Sequence, residues 1–227
     1  IYNGGVPAAL ADSPVGWWKF HEDDVDLGGD ITDYGSGEND GTLENGAALS
    51  RSVPAEDATW NNRSLTFDGV DQYMSTTADD TLATKSYSFW AKSTETGANG
   101  VFDHGASAIG GFRFNWNTGR ALLYMMSTGL PNVYAYWDDT AAQDDGNWHH
   151  HVVYIEHDDI TNCKWYVDGI LQNLQGTSGA DETATAYAGL RIGIEGGSYF
   201  DGNLDEFAIF DGELTPAQVL QIYNGGS

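Results

Sequence analysis

Residues 164–171 read Lys-Trp-Tyr-Val-Asp-Gly-Ile-Leu, and this stretch decides the fold class. Its first half is an aromatic and β-branched run of the kind enriched in strands. Asp168-Gly169 follows, and this dipeptide is typical of a tight hairpin turn. Ile170-Leu171 then resumes the apolar pattern. The stretch therefore predicts a strand, a two-residue turn and a second strand.

The same pattern of strand-like runs and Asp-Gly turns occurs along the rest of the chain. An Asp68-Gly69 turn follows another apolar run, and 29 Gly, eight Trp and no long helical periodicity favour many short strands. Residues 132–137 alternate and place two sets of side chains on opposite faces: Val133, Ala135 and Trp137 on one, Tyr134 and Tyr136 on the other. We therefore predict an all-β, two-sheet antiparallel jelly-roll sandwich over residues 14–227 as one domain.

A pentapeptide, Ile-Tyr-Asn-Gly-Gly, stands at residues 1–5 and again at 222–226. Near the second copy, Thr215 and Pro216 have the residue types of a helix N-cap and first position, so a short C-terminal helix is predicted. The first copy has no such helix before it. We interpret residues 1–13 as a linker and the tail of a preceding similar module, which makes the chain one unit of a tandem array.

The composition limits the partners. Nine basic against 34 acidic residues give a net charge of −25 and a sequence pI near 4.1. Such a surface repels phosphate backbones and anionic lipids, so neither nucleic acid nor membrane insertion is expected. It suits a marine or saline extracellular setting, or binding of calcium, although an ordinary acidic bacterial protein remains the alternative. Cys163 is predicted to be a buried, inert thiol.

Several spaced motifs together resemble a known family. They are Trp17-Trp18-Lys19-Phe20, the loop from Asp33 to Thr42, residues 65–73, Trp148-His149-His150-His151-Val152, residues 165–169 and residues 200–210. In this order the set resembles the laminin G-like, or concanavalin A-like, jelly-roll modules. The resemblance covers nearly all of residues 14–227 and implies the sandwich fold. Because related sandwiches serve as adhesion domains, glycan-binding modules, glycanases and spacers, it does not decide the function.

The resemblance to glycanases does not extend to their carboxylate motif. Those enzymes carry a Glu-x-Asp-x-x-Glu-type strand that places an acid and a nucleophile on one face. Glu156 lies in a turn-like acidic run instead. Asp205 and Glu206 are adjacent, so strand alternation predicts that they point to opposite faces. We predict that the domain is not an enzyme and that Glu156 and Glu206 are not catalytic.

Calcium is the one cofactor that the resemblance implies. Family members often hold a structural calcium between a Gly/Asn/Asp loop after the first strand and an acid on the last strand. In this sequence the matching residues are Asp33, Asn39 and Asp205, with Glu22 as an addition. Calcium binds six to eight oxygens, and such a loop offers carboxylate, amide and carbonyl oxygens. The alternative is that Asp33 and Asn39 only make side-chain turns to the backbone.

The three consecutive histidines, His149 to His151, look like a metal tract, but they match strand and core positions of the family. Exposed aromatic rings are the platforms on which sugar rings stack. The candidates for this role are Trp60, Trp116, Tyr134, Tyr136 and Trp137, although most of the aromatic residues of a sandwich belong to its core.

The predicted function is a non-catalytic repeat module of an extracellular or virion-surface protein, used for adhesion or glycan recognition. Its partners are a glycan or cell-surface protein and neighbouring copies of the module, and its modules resemble those of structural proteins in marine bacteria and their phages. Two alternatives stay open. One is a purely structural spacer or building block of a capsid, tail or filament, and the other is an accessory carbohydrate-binding domain of a polysaccharide-degrading enzyme.

Overall fold

The structure is a computed structural model that describes residues 13–21, 30–54, 63–78, 84–104, 111–117, 119–126, 133–138, 144–156, 159–179 and 189–225. Within them, two large antiparallel sheets face each other, so the predicted all-β sandwich is confirmed. Of the predicted N-terminal linker, only Ser13 lies inside the described residues.

The first sheet has eight strands in the order β14-β13-β12-β7-β19-β5-β4, and β1 also pairs with β19. Its strands are β1 (Gly16–Trp18), β4 (Ala48–Ser50), β5 (Ser64–Asp68), β7 (Lys85–Lys92), β12 (His149–Ile155), β13 (Lys164–Val167), β14 (Ile170–Leu171) and β19 (Asp201–Asp211).

The second sheet has nine strands in the order β15-β11-β10-β9-β8-β16-β6-β3-β2. Its strands are β2 (Asp30–Ile31), β3 (Gly41–Glu44), β6 (Tyr73–Ser75), β8 (Asn99–His104), β9 (Gly111–Trp116), β10 (Arg120–Met126), β11 (Val133–Asp138), β15 (Gly176–Ser178) and β16 (Leu190–Ile192).

Three small elements complete the described fold. A two-stranded hairpin consists of β17 (Ile194–Glu195) and β18 (Ser198–Tyr199), a 3-10 helix covers Ile160–Asn162, and the helix α1 covers Pro216–Tyr223. Thr215 caps α1 in a reciprocal capping box with Gln218, and Pro216 is its first residue. The predicted C-terminal helix is thus confirmed. No helix in the described part of the chain is long and apolar enough to span a bilayer.

The core lies between the two sheets and is rich in aromatic rings. Phe89 stacks on Phe207 at 5.5 Å and on His151 at 5.3 Å, measured between ring centroids. A second, smaller cluster lies on the other face of the eight-stranded sheet, where Trp17 and Phe210 pack with Ile222 of α1. The helix therefore covers part of that outer face.

The predicted hairpin turn at 168–169 is confirmed by its backbone. Asp168 and Gly169 have φ angles of 49° and 78°, the left-handed values that a type I′ turn requires at both central positions. The turn joins β13 to β14 with Val167 opposite Ile170. Cys163 is buried before β13, and burial raises the pKa of its thiol to about 12, so it is an inert thiol as predicted.

Candidate functional site

Three tyrosines form a continuous aromatic patch on the outer face of the nine-stranded sheet. Tyr124 on β10 lies directly opposite Tyr134 on β11, and their ring centroids are 5.7 Å apart. Tyr136 follows at 6.4 Å from Tyr134. All three side chains are half-buried, whereas the alternate residues of β11, Val133, Ala135 and Trp137, are buried in the core. We call this patch the tyrosine face.

The tyrosine face has polar groups at its edge. The Arg120 guanidinium lies 4.6 Å from the centroid of the Tyr136 ring and 3.7 Å from the Asp138 carboxylate. On the far side, β15 presents Gly176, where a Cβ would come within 2.8 Å of the Tyr136 hydroxyl oxygen. A side chain at this position would displace the ring. Glycine at 176 therefore gives Tyr136 the space to lie across the edge strand.

The β17–β18 hairpin stands beside the tyrosine face, over the outer side of β8 and β9. It fits closely because position 100 is glycine: a Cβ there would be 2.1 Å from the carbonyl oxygen of Ser198. Two polar contacts fasten it. Asn115 donates to the Glu195 carboxylate at 2.7 Å, and the Gly196 amide donates to Asp103 at 3.2 Å. The hairpin therefore lies on strands next to those that carry the tyrosine face, and we call it the hairpin wall.

This arrangement combines apolar ring faces with the charged side chains of Arg120 and Asp138 at their edge. Aromatic faces offer apolar area with little loss of side-chain entropy, and their hydroxyls donate and accept hydrogen bonds. A sugar ring has the complementary character, since one side presents C–H groups and its rim presents hydroxyls. The tyrosine face can therefore hold a sugar by stacking and edge hydrogen bonds.

Two of the sequence-predicted aromatic platforms belong to the core. Trp116 and Trp137 are 4% and 1% exposed and pack between the sheets, so a sugar cannot stack on either indole. Both side chains point into the core, because they stand at the alternate positions of β9 and β11 whose other side chains are also buried there. Trp60 lies outside the described residues. Sequence reasoning missed Tyr124, since its place beside Tyr134 depends on the register between β10 and β11.

The predicted calcium loop is organised around one buried carboxylate. Asp33 is 7% exposed, and its Oδ1 accepts hydrogen bonds from the backbone amides of Trp17 and Gly35, both at 2.7 Å. Its Oδ2 accepts from the amide of Asn39 at 2.9 Å. The Asn39 side-chain oxygen accepts from the hydroxyl of Thr77 at 3.1 Å. Asp33 Oδ1 thus accepts two hydrogen bonds, whereas Asp33 Oδ2 and the Asn39 oxygen accept one each.

The predicted calcium ligands differ in their surroundings. Asp33 and Asn39 do lie together, but Asp205 is fully buried on β19, where its Oδ1 accepts from the Glu206 amide at 3.0 Å. In the described ranges, no three His, Cys, Asp or Glu side chains are close enough to share a metal ion. Glu22 lies outside those ranges. Calcium binding therefore stays a prediction.

The three histidines occupy strand and core positions. His150 and His151 are buried, and burial lowers the pKa of His150 to about 4 and that of His151 to about 3. His150 makes a 2.9 Å hydrogen bond with Ser88, and His151 Nδ1 accepts from the Trp165 indole at 3.3 Å. His149 is paired with Asp168 at 2.7 Å, and this hydrogen bond raises the pKa of His149.

Glu206 and Glu156, which were predicted not to be catalytic, both have hydrogen-bond partners within the domain. Glu206 is 5% exposed and accepts from the Trp17 indole at 2.7 Å and contacts His21 Nε2 at 3.1 Å. Glu156 accepts from the Tyr154 hydroxyl at 2.5 Å. The register of β19 shifts between Asp205 and Ala208, and Glu206 has a φ of 48°, so simple alternation does not apply across this bulge.

Comparison with solved structures shows the fold. The chain is similar to the botulinum neurotoxin serotype D binding domain, with 14% identity and a TM-score of 0.70 over 94% of this chain and 52% of that one. A structure described as the serotype D ligand binding domain in complex with N-acetylneuraminic acid matches at 13% identity and a TM-score of 0.70, over 96% of this chain and 52% of that one. The chain thus spans about half the length of these toxin domains.

A third similar structure is matched over nearly its whole length. It is domain 4 of AbnA, a GH43 extracellular arabinanase from Geobacillus stearothermophilus, in complex with arabinotriose. Identity is 18% and the TM-score 0.65, over 93% of this chain and 98% of that one. No curated protein sequence matches the chain.

The family model for the concanavalin A-like lectin/glucanases superfamily matches residues 67–220, which is more than half of the chain. The matched range includes the tyrosine face, the hairpin wall and both central strands of the eight-stranded sheet. With the sandwich already established from its strands and turns, the match fixes the family. This chain belongs to the concanavalin A-like lectin/glucanase superfamily.

Proposed function

We propose that the domain is a non-catalytic carbohydrate-binding module of an extracellular or virion-surface protein. The observation that carries the proposal is the tyrosine face, a run of three half-buried rings on one side of the nine-stranded sheet. Two comparisons support it, because the serotype D domain and the arabinanase domain are both described in complex with sugars.

The setting of the module is also part of the proposal. A surface with a net charge of −25 is compatible with a saline exterior, where salt screens the self-repulsion. The repeated Ile-Tyr-Asn-Gly-Gly segment supports a tandem array, in which several weak sites act together and raise the overall avidity. An accessory domain of a polysaccharide-degrading enzyme is the variant that the arabinanase similarity favours.

Substitution of Tyr136 tests the site. A glycan array first identifies the oligosaccharide bound by the wild-type domain, and calorimetry then gives its Kd. We expect Tyr136→Ala to weaken binding by tenfold or more, about 1.4 kcal/mol, because the stacking surface is lost. Tyr136→Phe keeps the ring and is expected to retain most of the affinity.

Tyr34→Ala is the matched control, since Tyr34 is 45% exposed but lies in the loop after β2 and not on the tyrosine face. Equal melting temperatures for the variants would show that the fold is intact. Binding that is unchanged in Tyr136→Ala, or lost equally in Tyr34→Ala, would remove the tyrosine face as the glycan site.

The structural building block is a second candidate, and one surface favours it. Ile170 and Leu171 on β14 are 67% and 52% exposed, and Leu220 of α1 is 48% exposed. Leu220 lies next to the β13–β14 turn, where a Cβ on Gly169 would come within 2.9 Å of it. Sedimentation over a concentration series tests this candidate. Self-association that Leu220→Glu abolishes would support it, and a monomer throughout would count against it.

A further inference from the structure

A cleft opens at one end of the sandwich, where β7 begins and β8 and β19 end. It has a volume of about 390 Å³ and lies beneath the loop that contains Ser36 and Gly37. This volume falls within the range typical of small-molecule sites, which is roughly 300–1,000 Å³. The cleft shares no residue with the tyrosine face. We call it the end cleft.

A buried lysine supplies the most informative group of the end cleft. Lys85 is 5% exposed and its ammonium donates to the carboxylate of Asp211, its cross-strand partner on β19. An ammonium has three N–H donors. Among the described residues, the Lys85 ammonium donates to one acceptor, the Asp211 carboxylate. The Lys85 ammonium therefore has donor capacity left for a ligand in the cleft.

The Asp211 carboxylate complements this donor. Its side chain is 65% exposed, so it retains oxygens that accept hydrogen bonds from a ligand. The two charges cancel, and the pair presents donors and acceptors side by side without a net charge. His104, which also lines the cleft, has both ring nitrogens engaged, one with the Tyr87 hydroxyl at 2.8 Å and the other with the Ala78 carbonyl at 3.0 Å.

The rim of the end cleft is held in place by the protein itself. The Gly37 amide donates to the Val15 carbonyl at 2.8 Å, and the Ser36 amide donates to the Pro14 carbonyl at 3.2 Å. A Cβ at position 37 would lie 2.7 Å from that Val15 oxygen, so only glycine permits this approach. Ser36 is exposed at the mouth of the cleft. A ligand thus meets a preformed rim, which lowers the ordering cost of binding.

We propose that the end cleft binds a neutral sugar unit, as a second carbohydrate site apart from the tyrosine face. The apolar walls formed by Val15 and Ile209 suit the C–H side of the sugar, and the Lys85–Asp211 pair suits its hydroxyls. An anionic sugar is disfavoured, because the lysine is already neutralised and the whole protein carries a charge of −25. The inference rests on the proposed function in that both sites take carbohydrate.

Amide chemical shifts of the ¹⁵N-labelled domain test the proposal. The probes are the methyl glycosides of arabinose, galactose and glucose, with glucuronate as the charged comparison, each at up to about 50 mM to reveal a millimolar Kd. We expect at least one neutral glycoside to give saturable shifts at Ser36, Gly37 and Asn39, with smaller shifts from glucuronate. Ser36→Trp should abolish these shifts by filling the mouth, while Ser36→Ala should retain them.

Two further variants separate the end cleft from the tyrosine face. Asp211→Asn removes a charge-assisted acceptor from a largely exposed position and should weaken cleft binding by about tenfold. Tyr136→Ala should leave the cleft shifts unchanged. Shifts confined to the tyrosine face would overturn the end-cleft proposal and leave the proposed function standing. Glucuronate shifts that exceed those of the neutral sugars, or shifts that persist in Ser36→Trp, would also overturn it.

Discussion

Acidification from about pH 7.5 to pH 5 is expected to remove about 2 kcal/mol of folding stability for each of His150 and His151. Their pKa values are about 4 and about 3 in the folded state, against an ordinary value of 6.5. The unfolded chain therefore binds protons that the folded chain does not bind. The contribution of the two neutral histidines to the folding stability is fully present above pH 6.5. It decreases as the pH falls below that value and levels off only below the folded pKa values.

His149 works in the opposite direction. Its pKa is raised, chiefly by the hydrogen bond to Asp168, so its stabilisation is present below pH 6.5 and is lost as the pH rises through its folded pKa. It offsets part of the loss due to its two buried neighbours. Neutralisation of surface carboxylates on a chain of charge −25 also changes the pH profile. The contribution of the buried histidines must therefore be measured by comparing variants with the wild type.

Urea unfolding of the wild type and His151→Phe at several pH values measures this effect. Phenylalanine keeps an aromatic ring between Phe89 and Trp165 but neither titrates nor accepts the hydrogen bond of the Trp165 indole. We expect His151→Phe to reduce the loss of stability between pH 7.5 and 5 by about 2 kcal/mol. The control, His149→Gln, should make that loss larger. An unchanged pH dependence in His151→Phe would show that His151 is not buried as a neutral imidazole.

Asp33→Ala is expected to lower the free energy of unfolding of the domain by roughly 3–5 kcal/mol. It removes the acceptor of three backbone amides, those of Trp17, Gly35 and Asn39, and leaves the Trp17 amide unsatisfied beside buried side chains. Hydrogen bonds to a charged acceptor contribute about 1.5–3 kcal/mol each, and part of this is recovered when water reaches the loop.

Asp40→Ala is the matched control for that variant. Asp40 lies in the same loop, is exposed and accepts one amide, that of Asp33, at 2.8 Å. Because water can replace the exposed Asp40 carboxylate, its loss should cost about 1 kcal/mol or less. Thermal melts in calcium, and in chelator with sodium chloride at equal ionic strength, complete the design. If Asp33 acts through backbone amides, its penalty is the same in both solutions; a penalty found only in calcium would establish the metal site instead.

Sequence reasoning could predict those features that depend on local pattern. The Asp168-Gly169 turn, the alternation of residues 133–138 and the Thr215 cap are each determined by a few neighbouring residues, and each is confirmed. The structure of the loop after the first strand was harder to predict from the sequence, because the two-residue strand β2 within it is too short to give a periodic signal.

The candidate site was harder to predict, because it depends on how distant strands align. Tyr134 and Tyr136 face outward as the alternation predicts, but Tyr124 joins them only through the register between β10 and β11. Burial of Trp116 and Trp137 depends on which face of a strand meets the opposite sheet. The β-bulge near Glu206 inserts one extra residue into β19. Strand alternation read from the sequence therefore fails there, because the residues after the bulge face the opposite side from the one that alternation predicts.

The β17–β18 hairpin has an evolutionary consequence. It is attached to the outside of the nine-stranded sheet, and its tip contains Gly196 and Gly197, both at positive φ. Residues 198 and 199 are half-buried, so they contribute little to the interior. Substitutions or insertions at this tip would change the wall beside the tyrosine face and leave the aromatic interior untouched. If the tyrosine face binds carbohydrate as proposed, related domains could therefore differ in ligand preference while keeping the same scaffold.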